Sequence, residues 1–229
     1  MSRVIVVIQA RMGSQRLPGK IVWDVYGKCL LERVVRQARR IRRADTVIVA
    51  TSSEPQDDIT ELICARLTVD CYRGSSQDVR SRFIEVARQY AAEILVRLTS
   101  DNPLTEPRFA DALIEYLLAH PEVDYCEMEK RSIALGTGSE VFRTAALELD
   151  AAGNSGAYAR EHVTPGIRQG PRSAQVEAPP ALAIGGAALT VDTFEDYVKL
   201  NRIYARYGDA PDLLERLTAD CRAGRVPVP

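Results

Sequence analysis

Residues 4–20 read VIVVIQARMGSQRLPGK. The five β-branched aliphatics Val4 to Ile8 show no polar alternation, so both faces of this segment are expected inside a core, as in a parallel strand covered by helices. The strand then gives way to a loop carrying Arg11, Arg16 and Lys20, with Gly13, Pro18 and Gly19 between them. Glycines let a backbone approach a ligand closely, and proline fixes a turn. The three cations suit a polyphosphate, although pairing with neighbouring carboxylates is the alternative. A Walker A phosphate loop does not fit. Five residues rather than four separate Gly13 from Gly19, and Ile21 stands where a magnesium-binding Ser or Thr belongs. A G-x-G-x-x-G dinucleotide loop is also missing.

Outward from this stretch, helix and strand patterns alternate. Leu30, Leu31, Val34, Val35, Ala38 and Ile41 recur at helical spacing. Residues 45–53 (DTVIVATSS) form the next expected strand, 57–67 a helix, 69–74 a short strand and 77–90 a helix. Residues 93–103 (EILVRLTSDNP) read as a strand closed by an acidic loop, and 107–120 as a helix with Pro107 in its first turn. This alternation predicts an α/β chain with an open, largely parallel sheet, whose ligands bind beyond the carboxyl ends of the strands. Beyond residue 120 the pattern loosens. Two extended pieces are expected around the glycines of 125–142, a short helix within 150–170, an extended stretch over 175–192, and helices over 193–208 and 210–224.

The chain has 229 residues, 46% hydrophobic and 27% charged, with a formal net charge of -1. It is long enough for one sizeable core, and no global field favours nucleic acid or an anionic membrane. The apolar run near the N-terminus is too short to read as a signal peptide, and no run approaches the roughly 18 residues of a membrane span. Five scattered cysteines without a C-x-x-C pair argue against a disulfide framework or a zinc site and for a reducing cytoplasm. With His120 and His162 the sole histidines, a multi-histidine metal centre is excluded.

Two more motifs carry chemistry. Asp101 follows a strand in RLTSDNPLTEP, and Asp192 follows another in LTVDTFEDY. Capping explains Thr193, Glu195 and Asp196 at a helix start, and a capping turn is an alternative reading of Asp101, but capping leaves Asp192 unexplained. A cationic loop and two carboxylates at other strand ends can together bind a nucleoside triphosphate with Mg2+, which takes few carboxylates and several phosphate oxygens.

IQARMGSQRLPGK, SQDVRSRFIEVA, RLTSDNPLTEP, EVF, REHVTP and TVDTFEDY, in this order, resemble the cytidylyltransferase family that includes the CMP-sugar-acid synthetases, most of all its SpsF-type spore-coat polysaccharide branch. The resemblance implies a nucleotide-diphospho-sugar transferase (Rossmann-like) fold, three-layered, with a mixed, mostly parallel sheet and a small β-arm. It implies a single domain over 1–229, with about 123–190 binding the acceptor and pairing in a homodimer. The implied reaction moves CMP from CTP to a small, anionic acceptor such as a sugar acid, releasing pyrophosphate.

On the same resemblance, the backbone after the first strand and the loop following it, at Ile8, Gln9, Ala10 and Gly13, hold base and ribose. Arg11, Arg16 and Lys20 grip the triphosphate, with Lys20, as a solvated loop lysine, reaching its leaving end. Ser75, Asp78 and Arg82 contribute to the base and ribose region. Asp101 and Asp192 are the implied ligands of Mg2+ or Mn2+, and Arg160 and His162 the implied acceptor contacts, joined by Lys130 and Arg131. Where relatives carry acids, GTGSEVF has Thr137 and Ser139. The rivals are an NTP:sugar-1-phosphate nucleotidyltransferase, whose usual glycine-rich opening QARMGSQR does not match, and a nucleotide-binding module without catalysis.

Overall fold

A computed structural model describes residues 2–228. Its elements, in chain order, are β1 Val4–Gln9, β2 Asp24–Val25, β3 Lys28–Cys29, α1 Leu30–Ala38, β4 Thr46–Ser52, α2 Asp58–Leu67, β5 Asp70–Gly74 and α3 Val79–Gln89. There follow β6 Ile94–Thr99, α4 Pro107–Ala119, β7 Tyr125–Met128, β8 Glu140–Arg143 and α5 Thr144–Gly153. The chain closes with α6 Ala157–His162, α7 Pro165–Gln169, β9 Ser173–Val176, α8 Phe194–Tyr207 and α9 Leu213–Arg222.

One seven-stranded sheet, ordered β5-β4-β1-β6-β8-β7-β9, organises the chain. β1 lies between β4 and β6, parallel to both, with Val6 opposite Val47 and Val96. β8 runs antiparallel to β6 and β7, and β9 returns parallel to β7 at the edge. The mixed, mostly parallel sheet expected from sequence is therefore present. The segment expected to hold a β-arm contributes β7, β8 and β9 to this sheet.

Strand alternation sends the β1 side chains into two cores. Val4, Val6 and Ile8 join Leu31 and Val34 of α1, Phe109, Leu113 and Leu117 of α4, and Leu200 and Leu217 of α8 and α9. Ile5 and Val7 face the opposite layer, with Val79, Phe83 and Val86 of α3 and Leu147 of α5. Helices on both faces make three layers, which is why the β1 segment could be apolar throughout. No helix among the described residues is long and apolar enough to cross a membrane.

Two expectations need correction. α5 begins at Thr144, ahead of the short helix expected within 150–170. Only Leu147 of α5 is buried outright, so no apolar stripe announced it. Residues 175–192 are largely irregular beyond β9, held through a bridge between Leu135 and Ala188. Gly136 makes that approach possible: its φ is +93°, and a Cβ there would lie 2.6 Å from the Thr190 nitrogen.

Candidate active site

The loop after β1 is built by hydrogen bonds before any ligand is considered. Gly19, at φ +68°, donates its N–H to the Met12 carbonyl at 3.0 Å and closes the loop on itself. Asp57, fully buried, accepts the Met12 N–H at 2.7 Å and also the Ser52 hydroxyl. A carboxylate with two donors stays fixed and therefore fixes the loop. On the neighbouring strands, Ala10 N–H donates to Ala50 O and Ser100 N–H to Gln9 O, both at 3.1 Å. The ends of β4, β1 and β6 are thereby locked side by side.

A cavity of about 540 Å³ opens over these strand ends, lined by Gln9, Ala10, Arg11, Gly13, Arg16 and Lys20 of the loop, Val79 and Arg82 of α3, and Asp101, His162 and Asp192 from elsewhere. Lys20 is 8% exposed, and its ammonium donates to Asp101 Oδ2 at 3.2 Å, Asp192 Oδ1 at 3.1 Å and the Val191 carbonyl at 2.7 Å. All three ammonium protons are used. Arg16 reaches the same Asp192 Oδ1 at 2.9 Å. Asp101 is steadied by the Thr99 hydroxyl, which in turn accepts from Asn102 Nδ2 at 2.9 Å. Asp192 precedes the capping box of α8, and its own N–H donates to Asp196 at 3.2 Å.

The two carboxylates thus converge on a cation. Among the described residues no group of three or more His, Cys, Asp or Glu side chains could hold a metal ion. Two converging carboxylates are a donor set that Mg2+ would accept, since it takes one or two and completes its shell with phosphate and water oxygens.

Several expected residues meet in this cavity and others do not. Arg11, at the mouth, pairs with Glu161 of α6 at 2.6 Å. Arg82 is 2% exposed and, among the described residues, has no carboxylate within ion-pair distance. Ile8 is buried in the core, so its side chain cannot touch a ligand there. Asp78 caps α3 by accepting the Ser81 N–H at 2.8 Å, and the Ser75 hydroxyl accepts from the N–H groups of Gln77 and Asp78. Neither lines the cavity. The expectation of a solvated Lys20 is corrected, since the ion cluster holds it inside. Glu161 was absent from the sequence reading, as nothing local marks its closeness to Arg11 across 150 residues.

A second cavity of about 560 Å³ shares Thr99 with the first and is lined by Arg97, Asn102, Glu127, Lys130, Ser139, Glu140 and Arg168 among others. Along β6, β8 and β7 the apolar row Leu95, Phe142 and Tyr125 is followed on the same face by Arg97, Glu140 and Glu127. Arg97 binds Glu140 and Gln9, both at 2.9 Å, and Arg168 binds Glu127. Of the four residues expected on the acceptor side, Lys130 lines this cavity and His162 lines the first. Arg131 and Arg160 are exposed and line neither.

A loop of cations and a carboxylate pair bridged by Lys20, gathered beyond the carboxyl ends of the parallel strands β1 and β6, suit a site of the nucleotidyltransferase class. The comparison with known proteins is more specific. A cytidylyltransferase family model matches residues 5–212, and the chain belongs to that family. It is 32% identical over 230 residues to the spore coat polysaccharide biosynthesis protein SpsF of Bacillus subtilis, with 93% of this chain and 91% of the relative covered. It is 32% identical over 177 residues to the 3-deoxy-manno-octulosonate cytidylyltransferase of Anaeromyxobacter dehalogenans, covering 71% of this chain and 72% of that protein. Among solved structures, a cytidylyltransferase from Leptospira borgpetersenii superposes with a TM-score of 0.87 at 28% identity, covering 97% of this chain and 96% of the other. The chain is thus a nucleotidyltransferase of the CTP-utilising kind.

Proposed function

We propose that this protein transfers CMP from CTP to a small anionic acceptor, a sugar acid or a related metabolite, with release of pyrophosphate. The observation that carries the proposal is the Lys20 ammonium clasped between Asp101 and Asp192 at one end of a cation-lined cavity that opens onto a second, adjoining one. The second relative, a 3-deoxy-manno-octulosonate cytidylyltransferase, supports the choice of cytidylyl transfer and of a sugar acid, and the first supports a place in polysaccharide biosynthesis.

Asp101 and Asp192 would hold Mg2+ or Mn2+, which would neutralise phosphate charge. Arg16 and Lys20 bind the triphosphate at that end, and Arg11 at the mouth exchanges Glu161 for it. Gln9, Ala10 and Gly13 present the backbone to the nucleoside, and Arg82 lies beneath it. The acceptor occupies the second cavity, where Lys130 meets its anionic group; Arg97 and Arg168 already spend their charge on glutamates. Its oxygen attacks the α-phosphorus as the bond to the bridging oxygen breaks, with no covalent enzyme intermediate. Charge-assisted contacts that position both reactants are what such a transfer requires of the protein. A homodimer in the cytoplasm completes the proposal.

The test is pyrophosphate release from CTP in the presence of Mg2+ and a panel of 2-keto sugar acids, with neutral sugars as controls. Release stimulated by the acids is expected, and Lys130→Ala should raise the acceptor KM more than the KM for CTP. Stimulation by neutral sugars alone would overturn the anionic acceptor.

A further inference from the structure

The corner between α6 and α7 is made by a residue unsuited to it. Val163 has φ +68° and ψ −58°, and across it the Thr164 N–H donates back to the His162 carbonyl at 2.8 Å. This is a γ-turn of the positive-φ form, which is strained for any side chain and more so for a β-branched one. Thr68, also branched and at positive φ, has ψ +48° and ends α2 in ordinary left-handed geometry at an exposed position. Val163 by contrast is fully buried, in the cluster that holds Ile5, Val7, Phe83 and Phe142. Strain of this kind persists only where the surroundings over-determine it. Here the core anchors the side chain, and the anchored side chain holds the turn.

The two short helices joined at this corner serve different cavities. On the α6 side, Glu161 pairs with Arg11 at 2.6 Å, and His162 lines the nucleotide cavity. On the α7 side, Thr164 is 2% exposed and its hydroxyl donates to Glu140 at 2.8 Å, while Arg168 binds Glu127. Glu127, Glu140 and Arg168 all line the second cavity. Glu140 in turn holds Arg97, which donates to Gln9 in the first. Val163 itself lines neither cavity. Its conformation nevertheless sets the angle between the helices that border them.

We infer that Val163 is a positioning residue for the transfer, because its strained turn fixes α6 on the nucleotide side against α7 on the acceptor side. The separation of the two reactants is then set by the backbone before either binds. This inference rests on the reading of the two cavities as CTP and acceptor sites. An attack in line on phosphorus needs near-attack geometry, and a misplacement of about 1 Å can cost on the order of a hundredfold in rate. Loosening the corner should therefore act on turnover rather than on the affinity for either reactant.

Val163→Ala and Val163→Gly test it in the whole protein. Both remove the anchor, but alanine keeps the steric conflict at positive φ and glycine does not. The glycine variant should accordingly melt no lower than the alanine variant, the reverse of the order where φ is negative. Pyrophosphate release is measured with CTP, Mg2+ and the 2-keto sugar acid that stimulates wild type most. In both variants kcat should fall at least about tenfold, with each KM within about threefold of wild type. If the alanine variant does not fold, the glycine variant carries the kinetic comparison alone. A lowered melting temperature with kcat near wild type would make Val163 a packing residue and overturn the inference, as would a loss confined to KM. An alanine variant that melts above the glycine variant would remove the strain. Wild-type protein that releases no pyrophosphate with any acid would sink the cytidylyl reading itself, and this inference with it.

Discussion

Lys20 is where the chemistry of the site converges, because its ammonium satisfies two carboxylates and a carbonyl that would otherwise face one another. Replacing it by Met should therefore do two things. Stability should fall by about 2 kcal/mol, since Asp101 and Asp192 lose the charge between them in a partly buried setting. The rise in melting temperature on adding CTP should also shrink. Urea titration and melting curves read both, and unchanged stability would mean that the cluster does not hold Lys20 in solution. Asp101→Asn and Asp192→Asn should each remove most pyrophosphate release while leaving a folded protein, because an amide keeps the shape but not the charge that a hard cation needs. Excess chelator should have the same effect on wild type, reversed by Mg2+. Activity that survives the chelator would rule out the metal.

At the scale of elements, Asp192 depends on the start of α8. Thr193 and Asp196 form a capping box, and Asp196 also accepts the Asp192 N–H. Thr193→Ala should cost about 1 kcal/mol and slow turnover by loosening Asp192. Burial works to raise the Asp196 pKa, but the Thr193 hydroxyl, the N–H groups of Asp192 and Thr193, and Lys199 together hold it below its ordinary value. A carboxylate depressed in the folded state contributes stability that is full above its unfolded pKa and is lost as pH falls through the folded one. The penalty of Asp196→Asn should accordingly be present at pH 7 and fade below about pH 4; a penalty constant down to pH 3 would show that the box does not act through charge. These contacts were partly legible in the sequence. Thr193 and Asp196 stand at capping spacing after an apolar run, and Asp101 follows the strand β6, which are local signals; the strand expected before Asp192 is absent, because the chain there is irregular. The Arg11–Glu161 pair and the glutamates that hold Arg97 and Arg168 were not, since they depend on strand register and on helices brought from afar. Helix α5 escaped because a helix that buries so little leaves no periodic stripe to read.

For the whole molecule, the sheet was readable in its parallel half, where a strand buried on both faces must be apolar throughout, as β1 is. Beyond residue 120 the two expected extended pieces are β7 and β8, but their antiparallel pairing was not readable, because apolar and charged residues such as Tyr125 and Glu127 share one face of a short strand. That half ends in an exposed strand, β9, at the edge of the sheet. An uncovered edge is a surface for pairing, in keeping with the proposed homodimer; sedimentation equilibrium should give twice the 25.3 kDa chain mass, and a monomer at all concentrations would contradict it. The account stands or falls, however, on a divalent cation and a triphosphate meeting at the Lys20 cluster. The most direct measurement is anomalous scattering from crystals grown with CTP and Mn2+. The predicted result is one manganese peak between Asp101 and Asp192, bonded to phosphate oxygens of a CTP whose base rests by Arg82, with the Lys20 ammonium moved onto the phosphates. CTP bound with Lys20 still clasped by both carboxylates, and no peak between them, would contradict it.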